Sequence, residues 1–442
     1  MSQLLSESVE DPQSEKSWWN SISLGSIGPG LVFTLAVLGT GDIVANITAG
    51  AGYGYSLIWT LILVFVFRFV WVNTAAKYVL VTGESLLTGY KRLGKGVVWV
   101  VLIFVVVTRH FSNMVVIIMT GTAADLLFPL PTVWSSSIWA TIFTIVGFAM
   151  MFWGGYPVIE SFCKVLVGVM GASLILAAIL SDPNPEAILK GTLIPSLPQA
   201  QGLYSSILIL MALIGTEAGA LHNVSYTYFI RERGWTNLSY LKQQRVDLIF
   251  GIACMFVMAA LLQIAAAGTI HPLGIDVEET EHMAQVFYTQ QGRLGLIVFA
   301  LGLWGASFSS LVGGSTGYGL ILTDICRMLI PYFKQNRASH VSGEAIKLDP
   351  LFRIAITFWC FSPLYIFFIN VRPVWLVLTV MAIQVVMIPL LATSLLIITN
   401  RKSLMGEHIN SWFTNLVMSA LVLVALYFTY INAGNFWSSL TE

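Results

Sequence analysis

The sequence predicts an all-α polytopic membrane protein of about eleven transmembrane helices, arranged as two inverted halves of five helices with one helix beyond them. Three observations carry this fold class. Of 442 residues, 57% are hydrophobic and 10% charged, and the mean hydropathy is +0.81, whereas soluble domains carry about 25% charged residues. Apolar runs of spanning length, about 20 residues or more, recur along the whole chain. Spans one and six are each interrupted at mid-depth by glycine, threonine and an acid, in Gly39-Thr40-Gly41-Asp42 and in Gly215-Thr216-Glu217-Ala218-Gly219.

Residues 1–20 form a polar tail ending in Trp18-Trp19, which suits an interfacial anchor and not a cleavable signal peptide. Residues 21–442 then read as a single transmembrane domain. Its first five spans fall at about 28–50, 56–80, 97–127, 134–155 and 157–180, the last two divided at Gly154-Gly155-Tyr156-Pro157. The next five fall at about 203–230, 246–268, 294–323, 353–370 and 374–398, and the eleventh at about 412–432. With the N-terminus inside, the inner segments hold fifteen Lys and Arg, from Lys16 to Lys402, against Lys190, Arg293 and Arg372 outside. That asymmetry predicts an integral protein of the cell (inner) membrane with a cytoplasmic N-terminus and an external C-terminus. The outer loop 269–293 carries Asp276, Glu278, Glu279 and Glu281, either as a solvated loop or as an acidic vestibule that concentrates cations. Cys163, Cys254, Cys326 and Cys360 are scattered through apolar segments and read as small core residues.

The two breaks locate the candidate site. Paired glycines weaken a helix, and unwound backbone is tolerated in a bilayer only against protein or a water-filled cavity. A carboxylate at the bilayer centre costs about 2.5 kcal/mol or more, so Asp42 is expected to face that cavity. Glu217 repeats the pattern five spans later. Corresponding breaks in two inverted halves mark a substrate site between them. Two carboxylates meeting there repel unless a cation or a proton lies between them, or unless Arg68 or Arg109, both near mid-depth, neutralises them. Backbone carbonyls near Gly39, Thr40 and Gly215 are candidate further ligands, and His222 and Asn223 are candidate ligands, proton relays or core polar residues. Lys77 and Lys164 lie near inner helix ends, where they snorkel, with Glu160 one turn before Lys164.

Several stretches resemble the natural resistance-associated macrophage protein (NRAMP) family of divalent-metal transporters. Gly28-Pro29-Gly30 opens the first span as the family's Gly-Pro-Gly does, and Gly39-Thr40-Gly41-Asp42 falls, without gaps, where the family has Asp-Pro-Gly-Asn. Ala49-Gly50-Ala51 follows at the family's distance, and Ala75-Ala76-Lys77 through Val81-Thr82-Gly83 is similar to its helix-two ending. His222-Asn223 matches the His-Asn of its Met-Pro-His-Asn, and Gly302 to Ser310 resembles its helix-eight region. The resemblance implies a LeuT-like 5+5 inverted repeat with discontinuous helices 1 and 6. The chain departs from the family at the metal site, as a divergent NRAMP-related branch. Gly39 stands for the family's Asp and Asp42 for its Asn, while Ala220 replaces the metal-binding Met and Glu217 an Ala whose carbonyl coordinates. Losing a thioether and gaining a carboxylate makes a hard oxygen site, favouring Mg²⁺ or Mn²⁺ over softer metals. Asn113 and Val116 stand where the family carries acids associated with proton movement, which places proton coupling in doubt.

The sequence thus points to a secondary-type transporter of divalent cations working by alternating access. Asp42, Glu217, Gly39, Thr40, Gly215, His222 and Asn223 form its candidate metal site, and the metal is cargo with no cofactor besides. A cation-coupled symporter of a small organic solute on the same fold is the alternative, and a non-transporting sensor a third class. No nucleophile–base set or cofactor fingerprint suggests an enzyme. The expected partners are the metal ion and the lipid bilayer, with no nucleic acid and no protein partner implied.

Overall fold

The computed structural model describes residues 39–153, 165, 171–172, 174–199, 203–330, 332–333, 349–369 and 372–441. Among them the principal helices are α1 (Thr40–Tyr53), α2 (Trp59–Thr82), α3 (Lys95–Leu127), α4 (Ser135–Trp153), α5 (Ser206–Glu217) and α6 (Ala220–Glu232). The chain continues through α7 (Leu241–Thr269), α8 (Thr280–Ser309), α9 (Ser315–Leu329), α10 (Pro350–Phe361), α11 (Pro373–Gln384), α12 (Ile388–Thr399) and α13 (Trp412–Thr441). Nine stretches among the described residues are long and apolar enough to cross a membrane. The first half of span one and most of span five lie outside the described residues, as do Cys163, Lys164 and Gly28-Pro29-Gly30.

The bilayer explains which faces are apolar. Along α3, Trp99, Ile103, Val107 and Phe111 recur every fourth residue and are 42–59% exposed. An apolar stripe of that kind on a helix surface requires lipid as its solvent. The opposite side of α3 packs against α4 and α8. Polar side chains are turned inward or toward the ends, as with Lys77, whose ammonium donates to Asn410 Oδ1 at 3.3 Å.

The broken elements form the centre. α1 packs between α7 and α5, and α11 lies across both α1 and α5. Gly215 permits that crossing, because a Cβ there would run into the main chain of Met381 on α11. Span six breaks at Ala218-Gly219, with Gly219 in the left-handed region at φ 78°, which suits glycine because it has no Cβ. The break therefore lies at the C-terminal edge of the predicted stretch, and Gly215, Thr216 and Glu217 belong to the last turn of α5. Gly215 is a packing residue here, not part of an unwound turn.

Two further differences concern span eight and its preceding loop. The segment read as an outer loop over 269–293 is helical from Thr280, and Gly292 (φ 59°, ψ −141°) kinks it into the span proper. Farther on, Ser310–Gly314 forms a π-helical turn between α8 and α9. Arg109 of α3 enters there: its Nη2 donates to the Ser310 carbonyl at 2.8 Å, and its guanidinium lies 5.5 Å from the centre of the Tyr318 ring. A widened turn of this sort is how a helix admits a foreign side chain into its ladder.

Candidate functional site

Gly39 is extended (φ −106°, ψ −163°) and caps α1, so the first turn presents unpaired N–H groups to Asp42 two positions inside the helix. The Asp42 carboxylate accepts the Gly39 N–H at 2.9 Å on Oδ2. Its Oδ1 accepts the hydroxyl of Thr216, from the last turn of α5, at 2.8 Å. Asn46, one turn after Asp42, donates through Nδ2 to the Asp42 carbonyl at 2.9 Å and to Glu217 Oε1 at 3.0 Å. The N-terminus of α1 thus meets the C-terminus of α5, and one network joins both acids. All four side chains are buried, Asp42 at 0% and Glu217 at 2% exposure. The two carboxyl groups interact with each other and with the guanidinium of Arg68.

Arg68, on α2, is fully buried and caps the end of α5. Its Nη1 donates to the Glu217 carbonyl at 2.6 Å and approaches the Thr216 carbonyl at 3.5 Å and the Met255 sulfur at 3.2 Å. A cation at a helix C-terminus is favourable, and here it also answers the orphaned carbonyls of a broken span. Two carboxylates beside one guanidinium carry a net negative charge when ionised. Buried charge of that kind demands a proton or a second cation. Asn46 Oδ1 has no hydrogen-bond partner among the described residues, although its amide is completely buried. An unmade bond on such an atom costs about 1–3 kcal/mol. Two carboxylates and one orphaned amide oxygen form a hard donor set suited to a cation such as Mg²⁺ or Mn²⁺.

The remaining predicted residues are distributed around this centre. Thr40 Oγ1 donates to Ser307 Oγ at 2.9 Å, tying α1 to α8. The Gly39 carbonyl accepts Ile43 N–H at 3.3 Å, so the first helical turn uses it. The carbonyls released by the break are those of Thr216, Glu217 and Ala218, and Arg68 and Asn223 reach them, Asn223 Nδ2 donating to Ala218 at 2.7 Å. The Gly39 carbonyl is therefore used within the first turn and Thr40 lies inside α1, whereas Gly215 lies in the last turn of α5, just before the break. His222 is half-buried, packs edge-on against Tyr318 with ring centres 5.2 Å apart, and has no partner for Nδ1 among the described residues. It belongs to α6, beyond the break. Asn113 donates to Ser315 and to the Trp359 carbonyl.

Asn46, Thr216 and Met381 were not singled out in the sequence. Asn46 had a legible signal, since position i+4 from Asp42 shares its helix face. Thr216 was visible in the repeated Gly-Thr but looked like a helix-weakening residue. Met381 had none: it comes from the tenth span, and a Cβ on Gly41 would meet its sulfur at 2.7 Å. That sulfur accepts Gln384 Nε2–H at 3.2 Å. Among the described residues no three or more His, Cys, Asp or Glu are grouped so that they could hold a metal ion by themselves.

Comparison with known proteins adds a family. The profile of the family described as natural resistance-associated macrophage protein-like matches residues 30–433. A relative from Aeromonas hydrophila, named divalent metal cation transporter MntH, is 25% identical over 405 residues, covering 90% of this chain and 93% of its own. One of the same name from Yersinia pestis is 24% identical over 413 residues, covering 92% and 93%. Among solved structures, a manganese transporter from Eremococcus coleocola superposes with TM-score 0.74 at 18% identity, over 95% of this chain and 88% of that one. Mhp1, a nucleobase-cation-symport-1 family transporter, superposes with TM-score 0.57 at 10% identity, over 93% of each chain.

Proposed function

This chain belongs to the natural resistance-associated macrophage protein-like family, and from that premise we propose that it moves a divalent metal cation across the membrane by alternating access. One observation carries the assignment of the site: Asp42 and Glu217, both buried, are joined through Asn46 and Thr216 where the start of α1 meets the end of α5, and Asn46 Oδ1 is left without a partner among the described residues. A divalent ion there relieves the carboxylate repulsion and satisfies the amide oxygen. Arg68 leaves the pair net negative without such an ion, so one guanidinium tunes the site without abolishing it. Because α1 and α5 belong to opposite halves of the repeat, an ion held between their ends couples occupancy to the relative position of the halves.

The cargo we assign is Mn²⁺ or Mg²⁺ in preference to softer metals. Relatives named for divalent metal cations and a solved transporter named for manganese support the class. The preference rests on the two carboxylates and the Asn46 amide oxygen as donors, while the Met381 thioether, which lies against Gly41, accepts from Gln384. Asn113 and Val116 carry no titratable group, so neither side chain takes up and releases a proton itself.

Titration calorimetry of the purified full chain tests both points. Mn²⁺ and Mg²⁺ are expected to bind, and Asp42→Asn or Glu217→Gln to weaken Mn²⁺ binding and uptake at least tenfold, about 1.4 kcal/mol, in a protein that remains folded. Cd²⁺ binding as tight as Mn²⁺ binding contradicts the oxygen-site preference. Unchanged Mn²⁺ binding in both variants would return the acids to a structural role, and sodium-dependent binding of an organic solute without any divalent binding would favour a symporter.

A further inference from the structure

The outer surface of α2 changes character along its length. Ile62, Val66 and Phe69 recur at helical spacing, Ile62 and Val66 exposed and Phe69 half-buried. The stripe continues to Asn73 and Lys77, the two residues between 71 and 80 that are not buried. α7 runs antiparallel beside it. Phe65 meets Phe256 with ring centres 5.6 Å apart, and farther along Arg245 Nε donates to Asn73 Oδ1 at 3.3 Å. One turn beyond Arg245 on the same face of α7, Ile249 is exposed. The two helices thus form an apolar seam that ends in one polar group, made of Asn73, Lys77 and Arg245.

That end holds two cations that the protein does not neutralise. Lys77 donates to the Ile409 carbonyl at 3.4 Å and to Asn410 Oδ1 at 3.3 Å, and it feels the charge of Arg245. Neither Lys77 nor Arg245 forms an ion pair among the described residues. Other basic groups of the predicted inner face do: Arg92 pairs with Glu84 at 2.6 Å, and Arg327 pairs with Asp349. Asp247, the acid nearest Arg245 in the chain, is buried on the opposite side of α7 and accepts from the Tyr226 hydroxyl at 3.3 Å. Lys77 lies five residues before the end of α2 and Arg245 four after the start of α7, about 6–8 Å inside the helix ends. With the N-terminus inside, as the charge asymmetry predicts, this is the headgroup level of the inner leaflet. Trp412, two residues after Asn410, is exposed at the start of α13, as aromatic side chains at that level are.

We propose that this seam binds one anionic phospholipid of the inner leaflet, its phosphate between Lys77 and Arg245 and its acyl chains along Phe69, Val66 and Ile249. The remaining N–H groups of the guanidinium and the ammonium donate charge-assisted hydrogen bonds to phosphate oxygens. Anionic lipids of the cytoplasmic leaflet are attracted to basic groups placed there. A free phosphate would answer the charge and leave the apolar stripe unused, whereas a lipid covers both. Spans two and seven occupy equivalent places in the two halves of the repeat, so the lipid bridges the halves from outside. The inference uses nothing about the transported ion and stands apart from the assignment of Asp42 and Glu217.

Native mass spectrometry and thermal unfolding of the purified full chain, with phosphatidylglycerol or phosphatidylcholine added to the detergent, test the site. The wild-type chain should retain phosphatidylglycerol about tenfold more tightly than phosphatidylcholine and unfold at a higher temperature in its presence. Lys77→Gln combined with Arg245→Gln should lose that preference, and Lys77→Arg, which keeps the charge, should retain most of it. Arg401→Gln combined with Lys402→Gln, at exposed basic positions of the predicted inner face, is the control and should leave the preference intact. Equal retention of the two lipids by the wild-type chain overturns the site, and that comparison needs no variant to fold. A preference that survives in the Lys77 and Arg245 double variant overturns it as well. Loss of the preference to the same extent in the control pair would reduce the attraction to diffuse surface charge and also overturn the site. Displacement of phosphatidylglycerol by an equal concentration of inorganic phosphate would make a free anion the occupant and overturn the lipid.

Discussion

At the scale of single residues, Arg68 decides how two buried acids coexist. The sequence offered Arg68 and Arg109 as equal candidates for neutralising Asp42 and Glu217, and the structure separates them. Arg68 grips the Glu217 carbonyl, whereas Arg109 is engaged with the Ser310 carbonyl and the Tyr318 ring. Removing one partner from a buried charged group costs about 3–5 kcal/mol. Arg68→Met is therefore expected to lower unfolding stability by about that amount, because it strips both the carbonyl cap of α5 and the cation nearest the acids. Adding Glu217→Gln should recover much of the loss by removing one uncompensated charge. Thermal unfolding in detergent reads both results. An Arg68→Met protein as stable as the wild type would show that the guanidinium balances nothing.

At the scale of elements, the position of the break follows from two glycines with different duties. Gly219 adopts a left-handed conformation that opens span six, and Gly215 keeps α5 in contact with α11. Any side chain at 215 must push the Met381 main chain away, and overpacking of this kind costs typically 1–3 kcal/mol. Gly215→Ala is expected to reduce both thermal stability and uptake, since the α5 end that carries Thr216 and Glu217 shifts with it. Gly96→Ala, at a position where an added Cβ meets nothing, serves as the control and should change neither. Equal behaviour of the two variants would contradict the close-approach account.

At the scale of the whole molecule, the arrangement relative to the membrane follows from charge and hydropathy. Fifteen Lys and Arg on one set of loops against three on the other predicts an internal N-terminus, and an odd number of spans puts the C-terminus outside. Reporter tags or protease accessibility at each end should place the termini on opposite faces. Finding both on one face would remove the eleven-span arrangement and, with it, the surplus helix beyond the repeat.

The sequence by itself determined the all-α membrane class, the paired breaks in spans one and six, and the family resemblance. These are properties of composition, run length and local motif: glycine weakens a helix and a midplane acid demands company wherever the rest of the chain lies. Asp42 and Glu217 were legible for that reason. Only the tertiary structure decided which partners they have. Asn46 and Thr216 join the site because α1 and α5 meet end to end, Arg68 because α2 passes beneath the break, and Met381 because α11 crosses Gly41 and Gly215. The same applies to Gly39 and Thr40, which stand at the start of α1 with the Gly39 carbonyl accepting Ile43 N–H, and to Gly215, which lies in the last turn of α5 with the break three residues later. Helix propensity is a local energy of about 1 kcal/mol per glycine, and tertiary packing outweighs it, so the place where a weakened span opens is set by what the neighbouring helices can cap.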